Sequence, residues 1–117
     1  MRFLLLPLLA LASCSLGPGS GDPSFGDAYG VEAQFPVELD GDTLRVTVSY
    51  GGGCAEHEFR LRDQRVGGQT EVWLSHDAGG DGCEAYITRR LAVFAGGLDA
   101  PPDVLLTPSG ERRAVQR

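Results

Sequence analysis

Both histidines of the chain lie in one stretch that is bounded by two of its three cysteines. The order is Cys54, His57, His76 and Cys83, and Asp77 directly follows the second histidine. Imidazole nitrogens and carboxylate oxygens are ligands of zinc and copper. His57, His76 and Asp77 are therefore a candidate metal site. The favoured interpretation is a pair of partly buried histidines that bond to loop carbonyls or to Asp77 and bind no metal.

The two cysteines of this stretch, Cys54 and Cys83, offer a second set of metal ligands together with the histidines. Four such ligands suit zinc by type, but both thiols would have to stay reduced. A disulfide is favoured instead if the domain lies in an oxidising compartment. A disulfide that closes a loop of this length stabilises a fold by about 3–4 kcal/mol, because it lowers the conformational entropy of the unfolded chain. The sequence has no Cys-x-x-Cys motif, so we expect the bridge to be structural.

Other chemistry finds little support in the sequence. The loop from Asp77 to Glu84 offers carboxylates and glycines, but it lacks the spacing of a helix-flanked calcium loop, which favours a solvated turn. No serine stands in a Gly-x-Ser-x-Gly context, and no phosphate-binding loop occurs. We therefore expect no enzymatic activity and no cofactor other than the candidate metal.

Charge narrows the classes of partner. The chain has a net charge of −6 and an isoelectric point near 4.7, which disfavours phosphate binding and predicts no nucleic-acid partner. All 10 basic residues are arginines. The absence of lysine excludes Schiff-base chemistry and a lysine nucleophile.

The N-terminal residues carry a targeting pattern. The apolar run from Phe3 to Ala12 is shorter than the roughly 20 residues that span a bilayer, and it suits a signal peptide. The run ends in Leu11-Ala12-Ser13-Cys14, which resembles the lipobox of bacterial lipoproteins.

This resemblance implies that residues 1–13 are removed as a signal peptide and that Cys14 carries palmitate-type acyl chains. The membrane is then a partner, because several chains on one residue anchor a protein stably. Ser15 is not the Asp-type retention signal of the inner membrane, so a cell-envelope location at the outer membrane is implied for a Gram-negative host. The alternative is a secreted protein that is cleaved nearby and carries no lipid.

The segment after the lipobox has the composition of a linker. Residues 14–30 are rich in Gly, Pro and Ser and have no apolar period, which predicts a flexible tether. Either Phe25 or Tyr29 is suited to dock onto the domain edge. The folded domain is then predicted to span residues 31–117.

From residue 31 onward, apolar and polar residues alternate in short runs, which predicts β-strands. A weak strand is predicted at residues 31–35, and the strongest runs from 43 to 50, with its apolar residues on one face: Leu44, Val46, Val48 and Tyr50. Residues 57–62 and 71–76 predict a hairpin. A turn at 66–68 sets Phe59 opposite Leu74 and His57 opposite His76, whereas a two-residue Gly67-Gly68 turn slides the pairing by two and keeps the same faces.

A meander is the simplest sheet that these strands can form. Strand 43–50 then pairs with strand 57–62, and segment 83–89 follows strand 71–76, which brings the two cysteine loops to one end. The opposite face would hold Trp73, Arg60 and Tyr86, a cluster of the kind found at binding surfaces. The favoured interpretation is that the second sheet or the C-terminal hairpin covers Trp73 and makes it a core residue.

The last third adds a strand at 91–94 and a hairpin of strands 104–107 and 113–116 around Pro108–Gly110. No segment has a useful helical period. The sequence therefore predicts an all-β fold with one disulfide: a small antiparallel β-sandwich of immunoglobulin-like architecture, or an open barrel.

The spacing of residues around Cys54 and Cys83 resembles that of a known protein family. The pattern Gly-Gly-Cys54-x-x-His57-x-Phe59-x-Leu61, then His76-Asp77, then Asp81-x-Cys83-Glu84-Ala85, resembles small NigD-like β-sandwich lipoproteins. The resemblance covers residues 43–90 and implies a β fold without a defined activity. We therefore predict a lipid-anchored, non-enzymatic binding or envelope-assembly domain, with an envelope protein or a glycan as partner. The alternative is a periplasmic zinc- or copper-binding protein that uses His57 and His76.

Overall fold

The computed structural model describes residues 23–117, and this part of the chain is all-β with no helix. Its eight strands are β1 (Gly30–Val31), β2 (Val37–Asp40), β3 (Thr43–Gly52), β4 (Glu58–Val66), β5 (Gln69–Asp77), β6 (Ala85–Phe94), β7 (Val104–Leu106) and β8 (Arg112–Gln116). The strands and the Cys54–Cys83 disulfide confirm the predicted fold class. The predicted signal peptide and Cys14 lie outside the described residues.

All strands belong to one open sheet. The order across it is β6-β3-β2-β8-β7-β5-β4, and β1 lies beside β3 on the same side as β2. The neighbours are antiparallel except for β2 with β8 and β5 with β7. Since β4 and β6 each pair on one side only, they form the two edges of the sheet, and these edges approach each other without pairing. The sheet thus curls into an open, sandwich-like body.

The core lies between β3 and β5. Leu44, Val46 and Val48 of β3 are 0% exposed, as are Val72 and Leu74 of β5. This confirms the apolar face predicted for β3, because alternate side chains of a strand point to the same side. Burial of each such side chain contributes about 1.5–3 kcal/mol. The inner faces meet although β3 and β5 are not neighbours in the sheet, which shows how far the sheet curls.

The β4–β5 hairpin has the two-residue turn. Phe59 lies opposite His76 and Leu61 opposite Leu74, so the alternative register is confirmed and the register from the longer turn is wrong. Gly67 and Gly68 have φ values of 57° and 85°. Positive φ at both turn positions gives a backbone twist that matches the twist of the strands, and only glycine adopts it readily.

The predicted meander is wrong. Strand β3 pairs with β6 along its whole length, with Tyr50 opposite Ile87, and not with β4. Segment 83–89 consequently does not lie beside β5, and it joins the predicted strand 91–94 in one continuous β6. Alternation determines which side chains point inward, but it does not select the lateral neighbour of a strand.

The remaining strands depart less from the prediction. The predicted strand at residues 31–35 is confined to Gly30–Val31, and β2, which was not predicted, begins directly after Pro36. Strands β7 and β8 pair antiparallel around the predicted turn.

Candidate functional site

His57 and His76 are joined by a direct hydrogen bond in the interior. His57 stands just before β4 and His76 lies near the end of β5, and the distance from His57 Nδ1 to His76 Nε2 is 2.8 Å. Both residues are buried, with relative exposures of 9% and 3%. The structure therefore brings together the two histidines that the sequence singled out.

Asp81 forms one end of this hydrogen-bonded chain. Its Oδ2 accepts from His57 Nε2 at 2.9 Å, and its side chain is 0% exposed. Oδ2 also accepts at 3.0 Å from the backbone N–H groups of Gly53, Cys54 and Ala55. Oδ1 accepts from the Cys83 N–H. The hydrogen bond from His57, followed by those from the backbone N–H groups of Cys83 and Cys54, holds the pKa of the Asp81 carboxyl well below its usual range.

The Asp27 carbonyl forms the other end, because its oxygen lies 3.0 Å from His76 Nδ1. An ionised carboxylate and a carbonyl oxygen only accept hydrogen bonds, so each end of the chain needs a ring N–H, and the link between the rings needs one more. Two neutral imidazoles carry two N–H protons in total. The three links are therefore satisfied together only when the histidine pair holds one additional proton, whose charge balances Asp81.

Aromatic rings and a glycine shape the cavity around the pair. Tyr50 stacks on His57 and Phe59 stacks on His76, each at a centroid distance of 4.3 Å. A Cβ on Gly52 would lie 2.6 Å from His57 Nε2 and 2.8 Å from Asp81 Oδ2. Only glycine therefore leaves room for the His57–Asp81 hydrogen bond at this position. The sequence shows a glycine run at 51–53 but does not reveal which glycine has this role.

The N-terminal segment, residues 24–29, docks beside this cluster. His76 exchanges backbone hydrogen bonds with it, donating to the Phe25 oxygen at 2.9 Å and accepting from the Asp27 N–H at 2.8 Å. The Tyr29 hydroxyl donates to the Leu74 oxygen at 2.7 Å. Strand β7 pairs with only two residues of β5, and the segment uses the part of that edge that β7 leaves uncovered. Residues ahead of the predicted boundary at residue 31 thus pack against the domain.

The disulfide and Asp81 connect the same two loops. Cys54 and Cys83 are bonded with a Cα–Cα distance of 5.8 Å, and Asp81 bonds to the backbone of both residues. One oxygen of Asp81 and both sulfur atoms lie within 4.8 Å of one another. Sulfur atoms in a disulfide are not thiolates, so this trio is not a metal site, and the four-ligand zinc alternative does not apply.

Several predicted site residues lie apart from the pair. Asp77 is exposed and its carboxylate accepts from the Gly79 N–H, so the structure does not bring it to the histidines. Trp73 is half-buried and its indole N–H donates to the Ser24 oxygen.

The predicted aromatic and guanidinium cluster forms only in part. Arg60 lies opposite Ser75, on the same outward side of the β4–β5 hairpin as Trp73. Tyr86 was placed beside Trp73 by a β5–β6 pairing that the structure does not contain. It lies on β6, opposite Gly51 of β3, and its hydroxyl donates to Glu32.

The geometry describes a closed network. The chain matches no known protein family, and it matches no solved structure. Residues 23–117 contain no apolar helix of membrane-spanning length. The four ring nitrogens of His57 and His76 all have partners within the fold.

Beside the pair, a groove of about 450 Å³ is open to solvent and is lined by Tyr50, Ala55, Glu56, His57 and Arg89. Arg89 donates to the Tyr50 hydroxyl at 3.3 Å across this groove. The His57 side chain that faces it is only 2% exposed. The histidines are thus held in place rather than presented to a substrate.

Proposed function

We propose that the protein is a non-enzymatic binding domain of the cell envelope, tied to a membrane through a lipid on Cys14. The supporting observation is that His57 and His76, the residues best suited to catalysis or metal binding, use all four ring nitrogens inside the fold. The lipobox Leu11-Ala12-Ser13-Cys14 supports the anchored location.

Metabolic labelling tests the anchor. The protein is expressed in a Gram-negative bacterium that is fed an alkyne-tagged palmitate. We expect the label on the wild type and its loss in Cys14→Ser, together with release of that variant from the membrane fraction. The variant Cys54→Ser is the matched control and should keep the label. An unlabelled wild type would overturn the anchoring proposal.

Photo-crosslinking in the same cells tests the binding role. A photoreactive phenylalanine analogue is placed, one position at a time, at exposed sites on each strand and loop. We expect defined crosslinks to an envelope protein or a glycan at one cluster of positions. Crosslinks at no position would overturn the binding role, whatever the state of the lipid.

Metal binding by His57 and His76 stays a prediction, and the hydrogen bonds of both rings count against it. A ligand nitrogen must direct its lone pair at the metal, so zinc or copper would have to displace Asp81 or separate the rings. Calorimetric titration with zinc tests this, with a His57→Gln and His76→Gln double variant as control. Stoichiometric binding that the double variant loses would favour the metal function.

A further inference from the structure

The two edges of the sheet flank one opening, and they are the most exposed of its long strands. Strands β4 and β6 pair on one side only and approach each other without pairing. Both begin shortly after a cysteine of the Cys54–Cys83 bridge, so the edges are joined covalently at that end. Along the outer side of each edge strand, backbone N–H and C=O groups lack a strand partner within the described residues. Such a row of unpaired groups is the template to which an added strand binds.

Both edge strands carry exposed apolar side chains. Val66, Tyr86 and Phe94 are 48%, 73% and 71% exposed, and they are three of the four large hydrophobic residues that are exposed in residues 23–117. All three lie on β4 or β6. On the inner side, Leu61 and Ile87 pack against the core but are only partly buried. An added strand would therefore cover apolar surface as well as backbone groups.

The charges on β4 and β6 indicate what kind of peptide could be added as a strand. Strands β4 and β6 carry five arginines and two acidic residues, although the chain as a whole has a net charge of −6. The ion pairs found within residues 23–117 leave Arg62 and Arg89 without a carboxylate partner. Two copies of this chain would bring the same arginines together, so charge opposes edge-to-edge self-association. An acidic segment is attracted instead.

We infer that the opening between β4 and β6 binds an extended peptide segment with alternating acidic and apolar side chains, which adds as a strand to the free edge of β6. The β6 edge is favoured because β6 has no acidic residue, whereas β4 has two. Backbone hydrogen bonds supply affinity, and the arginines on both strands supply selectivity. This inference rests on the proposed binding function and names its partner class.

The test uses a fluorescent peptide of four Glu-Val repeats and the full protein purified in detergent. Fluorescence anisotropy should show saturable binding that weakens at high salt. The same peptide N-methylated at alternate residues and a peptide of four Arg-Val repeats should both fail to bind. Amide shifts in the ¹⁵N spectrum of the protein should change along β6 (Ala85–Phe94).

Single substitutions that change the charge of β4 or β6 test whether the arginines attract the acidic peptide. Arg62→Glu and Arg89→Glu should each weaken binding about tenfold. Ser109→Glu adds a negative charge in the turn between β7 and β8, which lie in the middle of the strand order, and should leave affinity within about twofold, since a distant surface charge is largely screened. Circular dichroism confirms that each variant is folded.

Four results would overturn the inference: equal binding of the arginine peptide, equal binding of the N-methylated peptide, amide shifts that leave β6 unchanged, or no binding of the acidic peptide at 1 mM. Failure of this test is distinguishable from failure of the proposed function. Envelope crosslinks at positions away from β4 and β6 would retain a binding domain while refuting this surface.

Discussion

His57 Nδ1 and His76 Nε2 lie 2.8 Å apart, although strand pairing places Phe59, and not His57, opposite His76. The contact joins three parts of the chain that are distant in sequence. Asp81 ties His57 to the disulfide loops, and the Asp27 carbonyl ties His76 to the N-terminal segment.

The histidine pair should hold three ring N–H protons in the folded protein. NMR at pH 6 on protein with ¹⁵N-labelled histidine should show three protonated ring nitrogens and one unprotonated nitrogen shared in the His57–His76 bond. In Asp81→Asn the balancing charge is gone, so one of these N–H protons should be lost. Two ring protons in the wild type would contradict the count, because one of the three hydrogen bonds would then lack its proton.

Gly52→Ala should destabilise the fold, because its Cβ would overlap the His57–Asp81 pair. Overpacking of this kind costs about 1–3 kcal/mol. Gly51→Ala is the matched control, since a Cβ there meets no atom within 4 Å. Urea unfolding gives the free energy of unfolding of both variants. Equal stability of the two would show that the space at Gly52 is not required.

Acid should remove the stabilisation that Asp81 provides. Its pKa is lower in the folded chain than in the unfolded one, so the contribution is complete above the unfolded pKa of about 3.9 and is lost as pH falls toward the folded pKa. Urea unfolding between pH 6 and pH 2 should therefore show a shallower loss of stability in Asp81→Asn than in the wild type. Asp77→Asn, at an exposed carboxylate, is the control and should follow the wild type.

Some acid sensitivity should persist in Asp81→Asn. The hydrogen bond from Arg112 lowers the pKa of Glu71, and the hydrogen bond from the Thr70 N–H lowers that of Asp103. Both carboxylates lose stabilisation in the same direction as pH falls. If the stability of Asp81→Asn fell with pH as steeply as that of the wild type, Asp81 would contribute nothing to the acid sensitivity.

Alkali should loosen the N-terminal segment through Tyr29. Burial raises the pKa of its phenol above the usual range, so the stability it contributes is present below the unfolded pKa of about 10 and is lost as pH rises above it. Tyr29→Phe should cost about 1–3 kcal/mol at pH 7, because the Leu74 oxygen loses its donor, and should flatten the alkaline decline. Tyr86→Phe, at a phenol that is 73% exposed, should change neither quantity by much.

Reduction of the disulfide should lower the free energy of unfolding by about 3–4 kcal/mol. Asp81 bonds to the backbone of both cysteines, so the folded reduced protein should keep its histidine N–H signals. A Cys54→Ala and Cys83→Ala double variant should show no response to the reductant. Loss of the histidine signals on reduction, without unfolding, would show that the disulfide and not Asp81 holds the loops.

The sequence by itself determined most of the long strands and the inward face of β3. Alternation of apolar and polar residues is local information, and it correctly placed Leu44, Val46 and Val48 on the buried side of β3. The Cys54–Cys83 bond was likewise predicted, because only two cysteines remain once Cys14 is assigned to the lipid. The two-residue Gly67-Gly68 turn was within reach of the sequence as well, since paired glycines favour positive φ at both turn positions.

Tertiary structure alone decided which strands are neighbours and which polar groups meet. The short loop after Tyr50 permitted a β3–β4 hairpin, yet β3 pairs with β6, and the edges left open belong to β4 and β6. A strand's pattern is the same beside any partner, so lateral order follows from closure of the whole core. Asp81 was one acid among several in the sequence. It became the partner of His57 because the fold brings three backbone N–H groups and an imidazole to a single buried oxygen.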